Sequence, residues 1–309
     1  PPLTIADGGV RVIKEQVPMR STGGHSSWDR SGQTVGDRYR LLSVLGRGGQ
    51  GVVNEAQDQR YGDLVAIKVL NDSLTKDPDF RERMFREGRA MTQLTGTAAV
   101  RVLDQVWSPD GALCLVMERL YGLELDGVLA QLEQRGQRMP AQAVVDMLGP
   151  VVSTLERAHQ LGIVHRDLKP GNIFLIDDEH GGGVRVLDFG FAKFVRMRGF
   201  TADGTIAGSP TYIAPETWKG GKIDGRVDVY ALGAIVFRCL AGQPPFDNKN
   251  LGALLVAVTE GERPSLHKLR TDLNPGIDFW VQQALAANPD ERFLGVRALF
   301  NSLKSVLAA

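Results

Sequence analysis

The stretch HRDLKPGN at residues 165–172 decides how the fold of this chain is interpreted. It places an acid, two bases, a histidine and an amide between two apolar segments. Asp167 is suited to accept a proton from an attacking hydroxyl group or to orient that group. Lys169 is suited to neutralise phosphoryl oxygens, and Asn172 supplies a hard oxygen of the kind that Mg2+ prefers. Alone, the stretch is also consistent with a loop of solvated charges, so its interpretation depends on what surrounds it.

The triplet DFG at residues 188–190 begins 21 residues after Asp167 and directly follows the apolar strand pattern VRVL. It supplies a second oxygen ligand, Asp188, and a glycine that gives the backbone conformational freedom. Two charged loops at this spacing, each next to an apolar strand, are poorly explained by solvation alone. Together they predict one site at which a metal ion and phosphate groups meet.

The segment GRGGQG at residues 46–51 fits the pattern GxGxxG. A dinucleotide-binding turn with this pattern requires a helix directly after the glycines. Here GVVNEAQ follows, which is typical of a strand. A strand–turn–strand unit of this kind is either an ordinary glycine-rich hairpin or a flap whose backbone N–H groups approach phosphate without obstruction by a Cβ atom.

The segment VAIK places Lys68 inside a strand of branched residues, 17 residues after Gly51. A lysine in a strand interior requires an anionic partner, because burial of an unpaired ammonium group is costly. Glu87 lies in the middle of a helix-like stretch, on a face that also contains Met84 and Met91. We predict that Lys68 pairs with Glu87 and reaches phosphates; a solvated lysine and a surface glutamate are the alternative.

The element pattern changes along the chain from strands to helices. Short runs rich in Val, Leu and Ile are separated by Gly, Asp or Pro and predict strands at 39–45, 51–57, 64–70, 100–107 and 112–118. The turn sequence SPDG at 108–111 predicts a hairpin between the last two. Apolar residues at helical spacing predict helices at 77–94, 141–162, 226–242, 277–287 and 293–307. A sheet-rich lobe followed by a helical lobe implies a cleft between them, where ligands commonly bind.

Composition excludes several classes of protein. The 309 residues include 36 Lys and Arg and 36 Asp and Glu, so the overall basic excess of a nucleic-acid-binding protein is absent, although a balanced total is compatible with a local basic patch. The two cysteines, Cys114 and Cys239, lie in apolar stretches, which predicts buried free thiols rather than a disulfide framework or a cysteine zinc site. No apolar run is long enough to predict a transmembrane helix, and no signal peptide pattern opens the sequence.

With the motifs HRDLKPGN, DFG, GRGGQGVV and AGSPTYIAPE, residues 37–307 resemble the catalytic domain of the eukaryotic-type Ser/Thr protein kinases, and in wording the bacterial members of that family. The resemblance implies an α+β bilobal protein kinase fold, with a small antiparallel sheet lobe that contains one helix and a larger helical lobe. The expected divisions are a flexible leader at 1–36, a nucleotide-covering lobe at 37–117, a hinge at 118–122 and a catalytic, peptide-binding lobe at 123–309. In the leader, VRVIKEQV at 10–17 alternates and is a candidate to add a strand to a sheet edge.

The resemblance also implies an ATP-dependent transfer of the γ-phosphoryl group to Ser/Thr hydroxyls of proteins. Asp167 would be the catalytic base, Lys169 would steady the γ-phosphate, and Asn172 and Asp188 would bind Mg2+, with Mn2+ as the alternative ion. Lys68, paired with Glu87, would hold the α- and β-phosphates. The residues that the resemblance places around ATP are Gly46, Gly48, Gly51, Val53, Ala66, Lys68, Met117, Glu118 and Leu120. Of these, Val53 and Ala66 would sandwich the adenine, and Glu118 and Leu120 would offer it backbone hydrogen bonds.

Further residues would support the site. Glu216 would pair with Arg292, and Asp228 would anchor the catalytic loop through its backbone. The side chains expected to stack across the cleft are Met91, His165 and Phe189. The expected departures from the family's wording are Gly49-Gln50 at the tip of the flap, Asn54 in place of an aromatic residue, and TGTAAV at 95–100.

Regulation is expected in the segment before Glu216, and substrate choice is expected at Glu124. Thr205, with Thr201 as a second site, would be autophosphorylated, and Arg166 and Lys193 would form the phosphate pocket. Ser209 would contact the catalytic base and lysine. Glu124 would favour a basic residue upstream of the phosphoacceptor, although Gly171 lacks the second acidic group that would strengthen this preference.

The expected partners are ATP and protein substrates, with a transient homodimer for autophosphorylation in trans, no nucleic acid and no membrane segment in this chain. The expected location is cytoplasmic, including the case of a cytoplasmic domain in a longer, membrane-anchored protein. A pseudokinase scaffold and a small-molecule phosphotransferase are the alternatives. The first usually lacks Lys68, Asp167 or Asp188, all of which are present here, and the second usually lacks the apparatus that ends in Glu216.

Overall fold

The computed structural model describes residues 3–6, 9–12, 30–48, 51–70, 92–189, 210–218, 220–248 and 250–309. Its strands are β1 (Leu3–Ala6), β2 (Gly9–Val12), β3 (Thr34–Val35), β4 (Tyr39–Gly48), β5 (Gly51–Asp58), β6 (Leu64–Leu70), β7 (Val102–Trp107), β8 (Leu113–Glu118), β9 (Gly122–Glu124), β10 (Ile173–Ile176) and β11 (Val184–Val186). Its α-helices are α1 (Leu125–Gln134), α2 (Ala141–Gln160), α3 (Pro215–Trp218), α4 (Arg226–Ala241), α5 (Leu251–Glu260), α6 (Ile277–Ala284) and α7 (Val296–Ala308). The predicted helix at 77–94 lies outside the described residues except for its last three.

The first lobe is an antiparallel sheet with the strand order β3-β4-β5-β6-β8-β7. Its register pairs Val53 with Lys68 and Ala66 with Met117. Directly opposed residues in a sheet share a face, and so do residues two apart along one strand. The four side chains therefore project from the same face, which is the face turned to the cleft.

The opposite face of this sheet forms the core of the first lobe. Its buried members are Val35, Tyr39, Leu41, Ala56, Val65, Ile67, Val69, Ala112, Cys114 and Val116. Burial raises the pKa of the Cys114 thiol to about 11 and that of the Cys239 thiol in the second lobe to about 12. The expectation of two buried free thiols is confirmed.

The lobe begins before residue 37, where the sequence analysis places its boundary. Strand β3 pairs with β4, Gly32 N–H donates to Leu41 O at 2.8 Å, and Val35 is fully buried. Farther upstream, β1 and β2 pair with each other rather than with the edge of another sheet. The expected edge strand at 10–17 therefore overlaps a separate hairpin, and residues 13–17 lie outside the description.

Asn54 is a polar residue in the core face of β5. It is 1% exposed and lies between Val44 and Ile67 in the ladder, and its Oδ1 atom accepts no hydrogen bond. A buried acceptor without a donor costs about 1–3 kcal/mol. The Asn54 side chain therefore destabilises the lobe. The aromatic residue expected at this position would instead pack in the core.

Replacement of Asn54 by leucine, which has a similar size, is expected to raise the free energy of unfolding by about 1–2 kcal/mol. Urea unfolding measured by circular dichroism checks this prediction. Gln57→Leu is the matched control, because Gln57 is exposed on the opposite face of the same strand and is expected to change stability by less than about 0.5 kcal/mol. Equal stability of Asn54→Leu and the unmodified protein would show that the amide is satisfied.

The second lobe is built around α4. This helix is buried on nearly all sides, as its apolar composition predicts. A Cβ atom on Gly233 would lie 2.9 Å from Cβ of Ala284 on α6, so the glycine permits these two helices to approach closely. Helices α2, α4, α6 and α7 occupy the predicted positions with ends shifted by a few residues.

The loop between residue 94 and β7 joins the two lobes. Thr154, which is buried on α2, accepts a hydrogen bond from Ala98 N–H at 2.9 Å and donates one to Pro150 O at 2.8 Å. Val100 N–H donates to Val186 O, and Val186 N–H donates to Ala98 O. Strand β11, which leads to Asp188, is thereby attached to the first lobe. Among the described residues, no helix is long and apolar enough to cross a membrane.

Candidate active site

Asp228, near the start of α4, binds the backbone of the loop at 165–172. Its Oδ2 atom accepts a hydrogen bond from His165 N–H at 2.8 Å, and its Oδ1 atom accepts one from Arg166 N–H at 2.9 Å. Nε2 of His159 lies 2.7 Å from Oδ2. Arg166 has a φ of 67°, a left-handed conformation that few residues other than glycine adopt. The anchor therefore fixes a backbone shape that the loop would otherwise not favour.

Asp228 is fully buried, yet its pKa lies below its usual value. Desolvation is the largest influence and raises the pKa, but the hydrogen bonds and positive potential supplied by His159, His165 and Arg166 N–H outweigh it. The carboxylate is therefore ionised in the folded protein throughout the neutral range.

This depressed pKa predicts how stability depends on pH. Because the pKa is lower in the folded state than in the unfolded state, the contribution of Asp228 is fully present above about pH 4 and is lost as the pH falls through the folded value. Asp228→Asn should reduce the free energy of unfolding strongly at pH 7, and its difference from the unmodified protein should shrink below about pH 4. Urea titrations of both proteins at pH 7, 5 and 3.5 check this, and a difference independent of pH would contradict it.

Three side chains converge at the centre of the loop. Lys169 Nζ donates to Asp167 Oδ2 at 2.9 Å. Asn172 Nδ2 donates to the backbone oxygen of Asp167 at 2.7 Å and approaches Asp167 Oδ2 at 3.3 Å. The amide nitrogen of Asn172 is thereby used inside the loop, and its oxygen is left as the atom suited to a cation.

Asp188 lies two residues beyond the end of β11, and β11 pairs with the strand that directly follows Asn172. The φ of Asp188, 57°, is again left-handed, and its Oδ1 atom accepts a hydrogen bond from Lys68 Nζ at 2.7 Å. Phe189 is buried, with its ring 4.6 Å from that of His165, whose Nε2 lies 2.8 Å from Leu187 O. Two of the three side chains expected to stack across the cleft are therefore in contact.

The expected nucleotide-binding residues lie on strands β4, β5, β6 and β8 and directly after β8. Gly46 pairs with Val53, and Gly48 with Gly51, at the turn between β4 and β5. A Cβ atom on Gly51 would lie 2.0 Å from Val69 O, and its φ is 154°, so this position requires glycine. The remaining expected residues on this side are Ala66, Lys68, Met117, Glu118 and Leu120.

Glu118 has a role that the sequence analysis missed. Its Oε1 atom accepts from Arg101 N–H at 2.9 Å and from Arg185 Nε at 3.1 Å, and its own N–H donates to Arg101 O. Since Arg185 belongs to β11, the side chain joins the end of β8 to the strand that leads to Asp188. Arg185 is separated from Glu118 by 67 residues, and no local pattern marks the pair.

Glu216 and Arg292 form the expected ion pair. Nη1 and Nη2 of Arg292 donate to the two oxygens of Glu216 at 2.8 and 2.7 Å. The Arg292 side chain is fully buried and also donates through Nε to Ala286 O at 2.8 Å. The pair attaches α3 to the helical lobe.

Glu124, the residue expected to select substrates, lies at the end of β9. A Cβ atom on Gly171 would lie 3.6 Å from Glu124 Oε2, so the carboxylate is next to the catalytic loop. The pKa of Glu124 is raised, first by loss of hydration and then by the negative charges of Asp126 and Asp188. A cation bound here would relieve this repulsion.

Some predicted site residues lie outside the described part of the chain. They are Glu87, Met91, Lys193, Thr201, Thr205 and Ser209. The described partner of Lys68 is Asp188, and the expected pair with Glu87 stays a prediction.

The donor set suits a hard divalent cation. The candidates are the Asp188 carboxylate and the Asn172 amide oxygen, both of the oxygen type that Mg2+ prefers. Within the described residues, no group of three or more His, Cys, Asp or Glu side chains could hold a metal.

The described residues form a sheet lobe with paired glycines between β4 and β5, and a helical lobe whose loop at 165–172 contains an acid, a lysine and an amide. The family model named protein kinase domain matches residues 39–298, and the chain belongs to that family. The resemblance found in the sequence motifs and the expected fold are confirmed.

Two curated relatives with high similarity are bacterial proteins. The chain is 37% identical over 272 residues to serine/threonine-protein kinase Pkn1 of Myxococcus xanthus, a match that covers 87% of this chain and 38% of Pkn1. It is 36% identical over 268 residues to serine/threonine-protein kinase PknA of Mycobacterium tuberculosis, with 85% and 60% coverage. This chain therefore spans less than two thirds of either relative.

Comparison with a solved structure supports the same fold. The crystal structure of the Mycobacterium tuberculosis PknI kinase domain superposes with a TM-score of 0.71 at 29% identity, over 90% of this chain and 99% of that one. The similarity includes both lobes.

Proposed function

We propose that this chain is an ATP-dependent Ser/Thr protein kinase that transfers the γ-phosphoryl group to hydroxyl groups of proteins. The main support is the convergence of Asp167, Lys169 and Asn172 on one side of the cleft with Asp188 and Lys68 on the other. All five are the residues that the family motifs require. Both relatives reported above are named serine/threonine-protein kinases, which supports the same activity.

The proposed chemistry relies on positioning and charge rather than on covalent catalysis. Asp167 Oδ2 orients the attacking hydroxyl and takes its proton. Lys169, 2.9 Å from that oxygen, brings positive charge to the place where phosphoryl oxygens would lie. Lys68 binds the α- and β-phosphates. In the structure, Lys68 contacts the carboxylate of Asp188, which is also an anion. Mg2+, when bound by Asp188, Asn172 and the nucleotide, neutralises phosphate charge.

We propose Mg2+ as the ion because the family resemblance implies it; the two protein oxygen donors suit Mn2+ as well. A series of assays with each ion, in the presence of ATP, compares them. Higher kcat/KM with Mn2+ at equal free ion concentration would contradict the preference.

We also propose autophosphorylation at Thr205, with Thr201 as a second site. Arg166 supports this proposal, since it lies directly before the catalytic base and its guanidinium group is suited to a phosphate. Transfer from one copy to a second would use a transient homodimer. We further propose a cytoplasmic location, in keeping with ATP as substrate and two reduced thiols.

Substrate choice is proposed to include a mild preference for a basic residue upstream of the phosphoacceptor. Its support is the negative charge of Glu124 beside Gly171, close to the catalytic loop. A peptide array read with labelled ATP tests the preference. Strong selection for acidic residues at upstream positions would overturn it.

The test of the proposed function is transfer of labelled phosphate from ATP to a general acceptor protein such as casein, followed by phosphoamino acid analysis. Phosphoserine and phosphothreonine are the expected products. Exclusive phosphotyrosine would contradict the Ser/Thr assignment, and phosphorylation of small metabolites without protein labelling would favour a small-molecule phosphotransferase.

A further inference from the structure

Five side chains form a continuous series across the segment that joins the lobes. In order from the first lobe to the second they are Glu55, Arg119, Tyr121, His180 and Asp177, and we call this series the hinge stack. None of the five belongs to a motif of the catalytic site.

The first-lobe end of the hinge stack is an ion pair. Arg119 Nε donates to Glu55 Oε1 at 2.9 Å, and both side chains are about four fifths buried, with 20% and 23% exposure. Glu55 pairs with Ala66 in the sheet, so it projects from the cleft face beside two expected adenine contacts, Val53 and Ala66. The ion pair therefore fixes Arg119 to the roof of the cleft.

The middle of the hinge stack contacts the peptide that is expected to bind adenine. Arg119 Nη1 donates a hydrogen bond to the backbone oxygen of Leu120. The same guanidinium group lies 4.5 Å from the ring centroid of Tyr121. One planar side chain thus restrains the positions of both residues that follow it.

The second-lobe end is an aromatic stack held by a buried acid. The rings of Tyr121 and His180 are 4.1 Å apart and within 13° of parallel. Nδ1 of His180 lies 2.5 Å from Oδ1 of Asp177, which is 4% exposed. Asp177 N–H also donates to Tyr121 O at 3.0 Å. The ring of Tyr121 is therefore fixed to the loop between β10 and β11.

We propose that the hinge stack sets the position of the Leu120 backbone for adenine, with Arg119 and Tyr121 as positioning residues. The inference rests on the proposed function, because it takes ATP as the ligand. A preorganised binding segment loses less conformational entropy when the ligand binds. The stack should therefore act on ATP affinity and leave the phosphoryl-transfer step, which occurs at Asp167, nearly unchanged.

Two variants of one residue test the proposal in the 309-residue chain. Tyr121→Leu removes the ring but keeps apolar bulk, and Tyr121→Phe keeps the ring. The matched control is Arg60→Ala, which removes a similar arginine–tyrosine contact with Tyr61, 5.4 Å in length and distant from the hinge. The measured quantities are KM for ATP, kcat with casein, and the thermal unfolding midpoint.

Tyr121→Leu is expected to raise KM for ATP about fivefold and to change kcat less than about twofold, because it removes one aromatic stack and one cation–π contact. Tyr121→Phe and Arg60→Ala are expected to keep the KM of the unmodified protein. An unchanged KM for Tyr121→Leu, or a lower kcat at constant KM, would overturn the proposal. An equal rise in Tyr121→Phe would assign the effect to the hydroxyl group and would also overturn it.

If Tyr121→Leu is unfolded at the assay temperature, Arg119→Lys provides the same test. Lysine keeps the charge but loses the planar donor that bonds both Glu55 and Leu120 O, so KM for ATP should rise and kcat should not fall. No change in KM would overturn the proposal. The unmodified chain separates the two hypotheses: absence of any transfer from ATP would contradict the proposed function, whereas normal transfer with insensitive variants would contradict only the hinge stack.

Discussion

Asp167→Asn is expected to lower kcat by about 10²–10⁴-fold, the usual contribution of general acid–base catalysis, with little change in ATP binding. The amide is nearly identical in shape to the carboxylate but cannot take a proton from a hydroxyl group. It also places an NH2 group or a neutral oxygen opposite Lys169 Nζ, where Asp167 Oδ2 now accepts at 2.9 Å.

The measurement is steady-state transfer to casein beside equilibrium binding of ATP. Asp146→Asn is the matched control, since Asp146 is exposed on α2 and accepts a hydrogen bond from Gln142 on the same helix. A kcat for Asp167→Asn within a factor of about three of the control would show that Asp167 is not the base, given the size of effect that removal of such a group produces.

Arg292→Met is expected to lower the free energy of unfolding by about 3–5 kcal/mol. The substitution removes both hydrogen bonds to Glu216, whose carboxylate is 11% exposed and would be left buried without a partner. It also removes the Nε contact with Ala286 O and the guanidinium group that lies 5.1 Å from the ring centroid of Tyr230.

Arg297→Met is the matched control, because Arg297 pairs with Glu156 in a similar way but both side chains are more than one third exposed. Such a surface pair contributes about 0–1 kcal/mol. Urea unfolding of both variants at pH 7 measures the difference. The combined variant Glu216→Gln, Arg292→Met should recover part of the loss, since it removes the unpaired charge. Equal effects of the two arginine substitutions would contradict the account.

The sheet of the first lobe could be predicted well from the sequence. Branched and apolar residues at alternate positions place Ala66 and Lys68 on one face and Val65 and Ile67 on the other, and the structure has this division. The alternation works because a strand has a side-chain period of two, which any register of pairing preserves. Lys68 could be recognised as unusual because it is the one charged residue in this apolar strand.

The supporting contacts of the site could be predicted only through the family resemblance. Asp228 is separated from His165 by 63 residues and Arg292 from Glu216 by 76. The local sequence around either pair does not predict the contact, because the contact depends on how α4 packs against the loop. The motifs identify the family, and the family then implies the pairs.

Contacts outside the family motifs could not be predicted at all. The pair of Glu118 with Arg185 and the stack of Tyr121 on His180 depend on the placement of β10 and β11 against the hinge. The unsatisfied Asn54 was visible only as an unusual residue for its position, since a missing hydrogen-bond partner is a property of three-dimensional surroundings. The sequence gives no sign of strand β3, because two residues are too few to show alternation.

The most direct test of the central claim is intact mass and phosphosite mapping of the purified chain after incubation with Mg2+ and ATP, with Asp167→Asn treated in parallel. The account predicts mass increments of whole phosphoryl groups on Thr205 or Thr201 in the unmodified protein and none in Asp167→Asn. ATP binding without any phosphate on the protein or on casein would contradict an active kinase and would favour a nucleotide-binding scaffold.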